Sequence, residues 1–169
     1  VTGVERGIKW LSSFNLVVAA LLALAVFLLG PTVAILDTLT TTLGNYASDF
    51  VRMSLRTTPF RDSSWVGGWT VFYWAWWIAW SPFVGLFIAR VSRGRTIREF
   101  VVGTVLAPTA AAFVWFSVFG GTALHLDIFQ GAPIAEAVKA DVSTALFALF
   151  DQLPLGALLS LVATVLVLV

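Results

Sequence analysis

The chain has 169 residues, of which 59% are hydrophobic and only 11% charged, against about a quarter charged in soluble domains. A formal net charge of +1 gives no electrostatic footprint for nucleic acid, and zero cysteines exclude disulfides and thiolate metal sites. This is the composition of a membrane protein.

The opening VTGVERGIKW sets charges before an apolar stretch, as a signal peptide does. The uncharged run that follows, Trp10 to Leu36, is too long for one and lacks a small-residue cleavage site. It predicts a first spanning helix over 10–33, closed by Gly30-Pro31. Next, Leu36, Leu39, Leu43, Tyr46, Ala47, Phe50 and Met53 recur at helical spacing, with Asp37, Thr41, Asn45, Asp49, Arg52 and Arg56 on the other side. That pattern predicts an amphipathic surface helix over 36–56, too polar to span.

Ser63 to Ala89 is free of charge and predicts a second span over 63–92, long enough to cross a hydrocarbon core of about 30 Å. A third span, over 97–120, opens at Thr96 with Glu99 three residues on, a capping-box spacing, and is expected to close near Gly120-Gly121. After Pro133, Ile134, Val138, Val142, Ala145 and Leu149 share one face of an expected outer amphipathic helix over 133–150. A fourth span starts at Leu153 and runs over 153–169. Because the chain begins at Val1 without methionine and stops inside LSLVATVLVLV, it is expected to be an excised segment.

Arg90, Arg93, Arg95 and Arg98 crowd the turn between spans two and three, and Arg6 and Lys9 precede span one, so these ends are expected to be cytoplasmic. The His125 to Asp151 loop holds four acids against Lys139 alone, and the Arg52, Arg56, Arg61 segment is offset by Asp37, Asp49 and Asp62. The expected fold is an all-α, multi-pass integral membrane bundle.

Six of the eight tryptophans fall between Trp65 and Trp80. Tyr73, Trp76, Trp77, Trp80, Phe83 or Val84, and Phe87 follow an i, i+3, i+4, i+7 pattern, making one flank of the second span aromatic. An interfacial belt suits Trp65 and Trp69 at the outer end. Trp77, about 15 Å further in, is too deep for a belt. Two readings remain for the deeper rings: they fill gaps between helices, or they line an aqueous cavity whose contents partner their indole N–H groups. In a cavity, the ring faces would stabilise a quaternary ammonium by roughly 0.5 to 2 kcal/mol per ring. Pro82 removes the hydrogen bond to the Ile78 carbonyl, so a kink is expected there. The carbonyl so released could line a cavity, or the kink could serve packing. Pro108, within LAPTAAAF, marks close helix contact.

The run Gly68-Trp69-Thr70-Val71-Phe72-Tyr73-Trp74-Ala75-Trp76-Trp77 matches every defined position of [GSDN]-W-T-[LIVM]-x-[FY]-W-x-W-W and resembles the signature of the betaine/carnitine/choline transporter family. The whole segment, including RVSRGRTIREF, is most similar to that family's sodium-coupled glycine betaine symporters. The resemblance implies a secondary transporter of inverted five-helix repeats, with this segment holding the last helix of repeat one and the first helices of repeat two. It implies that Trp76, Trp77 and Trp80 bind a quaternary-ammonium compatible solute, that Phe83 sits beside a sodium site, and that sodium is the coupling ion without other cofactor. It further implies an osmoregulatory homotrimer, joined partly through the 36–56 helix, in a bacterial plasma membrane. Sodium-independent exchangers of carnitine or choline belong to the same family and form the alternative. An intramembrane enzyme would need a nucleophile, acid–base pair or metal cluster. The sequence offers only His125 beside Asp127, and Ser12, Ser13 and Ser81 without a nearby base. A carrier of another fold and a structural subunit are further alternatives.

Overall fold

A computed structural model describes residues 2–58, 60, 62 and 64–168. All regular elements among the described residues are helical: α1 (Thr2–Leu29), α2 (Thr32–Ser54), a π-helical segment (Val66–Val71), α3 (Phe72–Val91), α4 (Ile97–Gln130), α5 (Ile134–Ala140), a 3-10 turn (Val142–Thr144), α6 (Ala145–Phe150) and α7 (Gly156–Leu168). Three stretches are long and apolar enough to cross a membrane: Arg6–Leu29, Val66–Val91 and Ile97–Gln130. Arg61, and Ser63 as the expected first residue of span two, lie outside the described residues.

Residues 1–43 and 110–169 form one compact unit. Its core gathers Leu22 and Val26 of α1, Ile35 of α2, Val118, Phe119 and Leu126 of α4, Leu149 and Phe150 of α6, and Leu159 and Ala163 of α7. Phe119 meets Phe150 edge-on at 6.3 Å. Small residues let the backbones approach. A methyl on Gly30 would stand 2.7 Å from the Val26 carbonyl and 3.2 Å from Thr122, and one on Gly121 would stand 3.2 Å from Thr38. Fully buried Thr122 satisfies its hydroxyl on the Val118 carbonyl of its own helix. At the α1–α2 corner, the Thr32 hydroxyl donates to the Phe27 carbonyl at 2.9 Å, one of the acceptors the helix end leaves open.

Five features differ from the sequence expectation. α1 begins at Thr2, not near Trp10, because the charged residues before Trp10 end the apolar run without opposing helix. α2 opens at Thr32, as soon as Pro31 allows. α4 continues ten residues past the expected close at Gly120-Gly121. Gly121 is buried against Thr38, so it serves packing rather than termination. The helix ends at Gly131, whose φ of +68° suits glycine, with Ala132 N–H returning to the Leu126 carbonyl at 3.2 Å. The single helix expected over 133–150 is broken at Asp141, which is extended (φ −155°) and accepts the Ser143 N–H at 2.9 Å. That backbone bond holds its carboxyl below the ordinary 3.8. The fourth apolar helix starts at Gly156, not Leu153. Leu155 takes a positive φ of 63°, and Gly156 lies so close to the Phe150 carbonyl that no side chain fits.

Residues 44–109 form the other unit, which holds the end of α2, the π-helical segment, α3 and the first turns of α4. In α2, Arg52 pairs with Asp49 at 2.9 Å, while Tyr46, Phe50 and Met53 expose their apolar face. The Thr96/Glu99 capping box is formed reciprocally: Thr96 N–H donates to the Glu99 carboxylate at 2.9 Å and Glu99 N–H to the Thr96 hydroxyl at 3.2 Å.

Candidate functional site

The aromatic flank of the second span is built on one rigid helix. Within α3, positions 76, 77, 80 and 84 fall on one side of a 3.6-residue turn. Trp76, Trp77, Trp80 and Val84 border a hollow of about 230 Å³. Trp77 and Trp80 flank the midpoint of Val66–Val91, the depth at which an interfacial belt cannot operate. The three indoles are 49%, 66% and 53% exposed. Packing among the described residues therefore leaves a large share of their faces uncovered.

Other rings contact two of the three, Trp76 and Trp80. Trp69 stacks on Tyr73 (5.9 Å, 15°), Tyr73 contacts Trp76 (5.8 Å), Phe72 contacts Trp76 (6.4 Å), and Trp80 contacts Phe83 (6.2 Å). Phe83 itself is 70% exposed and stands beside Trp80 without bordering the hollow, where Val84 takes the place on the wall. The sequence pattern left Phe83 or Val84 open at this turn. The i+4 step from Trp80 is the signal that favours Val84.

Two features were not legible from spacing. The turn before α3 is π-helical through Gly67 and Gly68, an arrangement often found at functional sites, and the extra residue per turn resets the phase between Trp65 and the deeper rings. The paired glycines are its sequence signal. The second feature concerns the carbonyl that Pro82 leaves without its N–H partner. α3 runs unbroken through Pro82 to Val91, and the Ile78 carbonyl that proline releases accepts the Ser81 hydroxyl at 2.8 Å. A serine directly before the proline can bond back one turn, so this acceptor is satisfied within the helix and does not face a ligand unpartnered.

The hollow's wall is three indoles and one valine, with no charged group and no oxygen acceptor among those side chains. Such a wall attracts a cation through the negative ring faces, and it penalises a primary ammonium, which would shed hydration without finding acceptors. A methylated nitrogen has no N–H to satisfy. Elsewhere, His125 lies within α4 against Phe129 at 5.1 Å, and the Asp127 carboxylate accepts the Ala135 N–H at 2.8 Å, capping α5. Among the described residues, no group of three or more His, Asp or Glu side chains is placed to hold a metal.

Comparison with known proteins places these features in context. Residues 1–169 match the domain described as betaine/carnitine/choline family transporter. The chain is 51% identical over 166 residues to the "Ectoine/hydroxyectoine transporter" of Virgibacillus pantothenticus, covering 98% of this chain and 33% of that protein. It is 48% identical over 171 residues to "Glycine betaine transporter 1" of Vibrio parahaemolyticus (100% and 32%) and 46% identical over 168 residues to "Glycine betaine transporter OpuD" of Bacillus subtilis (98% and 32%). The chain thus spans about one third of the length of these relatives.

Proposed function

We propose, from the premise that this chain belongs to the betaine/carnitine/choline transporter family, that it supplies the cation-binding wall of a secondary carrier for a quaternary-ammonium compatible solute such as glycine betaine. The observation that carries this reading is the hollow of Trp76, Trp77, Trp80 and Val84 at half-depth of an apolar helix. Its walls suit a delocalised positive charge and offer nothing to a hydrogen-bonding ammonium. The solute's carboxylate would find its partners outside this wall.

In this reading sodium moves inward with the solute, and Phe83, one turn beyond Trp80, stands beside a sodium site. Each charge crossing 100 mV supplies about 2.3 kcal/mol, enough for roughly fifty-fold accumulation of a zwitterion. The carrier would work in a bacterial plasma membrane, and the exposed apolar face of α2 would join protomers of a trimer. The identity to the Virgibacillus protein favours a second reading, in which the solute is ectoine, its planar amidinium stacked on the same indoles and its N–H groups bonded to acceptors outside this wall.

Uptake of radiolabelled betaine by the full-length protein in proteoliposomes, with and without an inward sodium gradient, tests the proposal. Accumulation only with the gradient supports sodium symport. Equal counter-transport without sodium points to the exchanger alternative. No uptake of betaine, with uptake of ectoine, supports the second reading.

A further inference from the structure

A second groove lies on the same unit, at the other end of α3. It measures about 560 Å³ and follows Gly85, Ile88, Ala89, Ile97 and Phe100 between the end of α3 and the start of α4. Gly85 leaves open space there, since an added methyl would meet nothing within 4 Å. Ser92, Arg95 and Thr96 give the groove a polar rim at the turn. Gly94, at φ +83°, makes that turn, and Arg95 N–H closes it on the Ser92 carbonyl at 3.1 Å.

Charge is concentrated around the turn, where Arg95 lines the groove and Arg90, Arg93 and Arg98 are its neighbours in the chain. Arg90, Arg93, Arg95 and Arg98 are all exposed, and the one ion pair among the described residues is Arg52 with Asp49. Glu99, the nearest acid in the sequence, accepts Thr96 N–H in the capping box and also feels the charge of Arg95, which leaves the cluster with a net excess of positive charge. Four cations, with Glu99 the one acid beside them in the sequence, therefore stand at the end of two membrane-length helices, next to a mostly apolar groove.

We propose that this groove is a binding site for an anionic phospholipid, with the phosphate on Arg95 and the neighbouring arginines, and one acyl chain laid along Gly85, Ile88 and Phe100. Charge complementarity selects the headgroup, because basic residues beside a spanning helix attract anionic lipid at about fivefold per charge. The apolar channel distinguishes a site from general attraction. Trp77 and Val84 border both this groove and the aromatic hollow, so the acyl chain would back the wall of the latter. The inference stands on the groove and its charges and does not depend on the solute.

The test is electron spin resonance on the full-length protein in phosphatidylcholine bilayers, comparing the immobilised fraction of spin-labelled phosphatidylglycerol with that of spin-labelled phosphatidylcholine. We expect a preference for phosphatidylglycerol of about threefold or more, abolished in R93A/R95A/R98A and kept in R93K/R95K/R98K. Gly85→Leu, which fills the channel and leaves the charges alone, should lower the immobilised phosphatidylglycerol fraction. About 1 M salt on the unaltered protein should remove the preference too, which covers an alanine variant that fails to fold. Equal preference in the unaltered and triple-alanine proteins would overturn the proposal. So would an unchanged fraction in Gly85→Leu, or no preference in the unaltered protein, the outcome expected if another segment of protein fills the groove.

Discussion

Replacing Trp77 by leucine removes one wall of the hollow and keeps a bulky apolar side chain in the bilayer. Trp77 is 66% exposed and absent from the core, so its loss opens no cavity in packed structure, and expression and thermal stability should change little. What is lost is one ring face toward a bound cation, worth about 0.5 to 2 kcal/mol. That corresponds to a rise in apparent KM of about 2- to 30-fold, with Trp77→Phe in between because a ring remains. The assay is initial-rate uptake of radiolabelled betaine across a concentration series in proteoliposomes, with the amount of inserted protein measured for each variant. Trp80→Leu should behave alike. An unchanged KM with a lowered maximal rate would refute the reasoning, since it would place Trp77 in the transport motion rather than in cation binding.

Further outcomes can be checked with the same material. Arg93→Ala should leave the apparent KM within about twofold, because a rim charge far from the hollow contributes little to binding there; the same concentration series reads it. Ser81→Ala leaves the Ile78 carbonyl without its hydroxyl donor, at a cost of about 0.5 to 1.5 kcal/mol, and should lower the thermal midpoint by scanning fluorimetry, while Ser81→Thr retains it. Gly121→Val should be more damaging than Gly120→Val in the same measurement, because only the former side chain would run into Thr38.

Much of this architecture is written in local pattern. The uncharged runs locate the three membrane-length helices because every backbone group in a bilayer must be satisfied internally, which leaves the helix as the only choice for such a run. The Thr96/Glu99 spacing located a helix start because both partners sit within four residues of each other. The features missed depend on longer-range contact or on a neighbour's side chain. Gly120-Gly121 reads as a stop until Thr38, more than eighty residues earlier, is seen packed on Gly121. Pro82 reads as leaving the Ile78 carbonyl open to a cavity until the Ser81 hydroxyl is placed on it. At the site, helical spacing was enough to align Trp76, Trp77 and Trp80, because all three sit on one helix. Spacing left both Phe83 and Val84 open at the next turn, and it is the i+4 residue, Val84, that borders the hollow.

The central claim is that ring faces at half-depth hold a methylated cation, and fluorination of Trp77 addresses it most directly. Each fluorine withdraws density from the indole face while barely altering its size, so the full-length protein carrying mono-, di- and trifluorotryptophan at position 77 forms a graded series. If the cation rests on this ring, the logarithm of betaine affinity falls in even steps with each added fluorine. A flat series, with affinity indifferent to fluorine number, would contradict it.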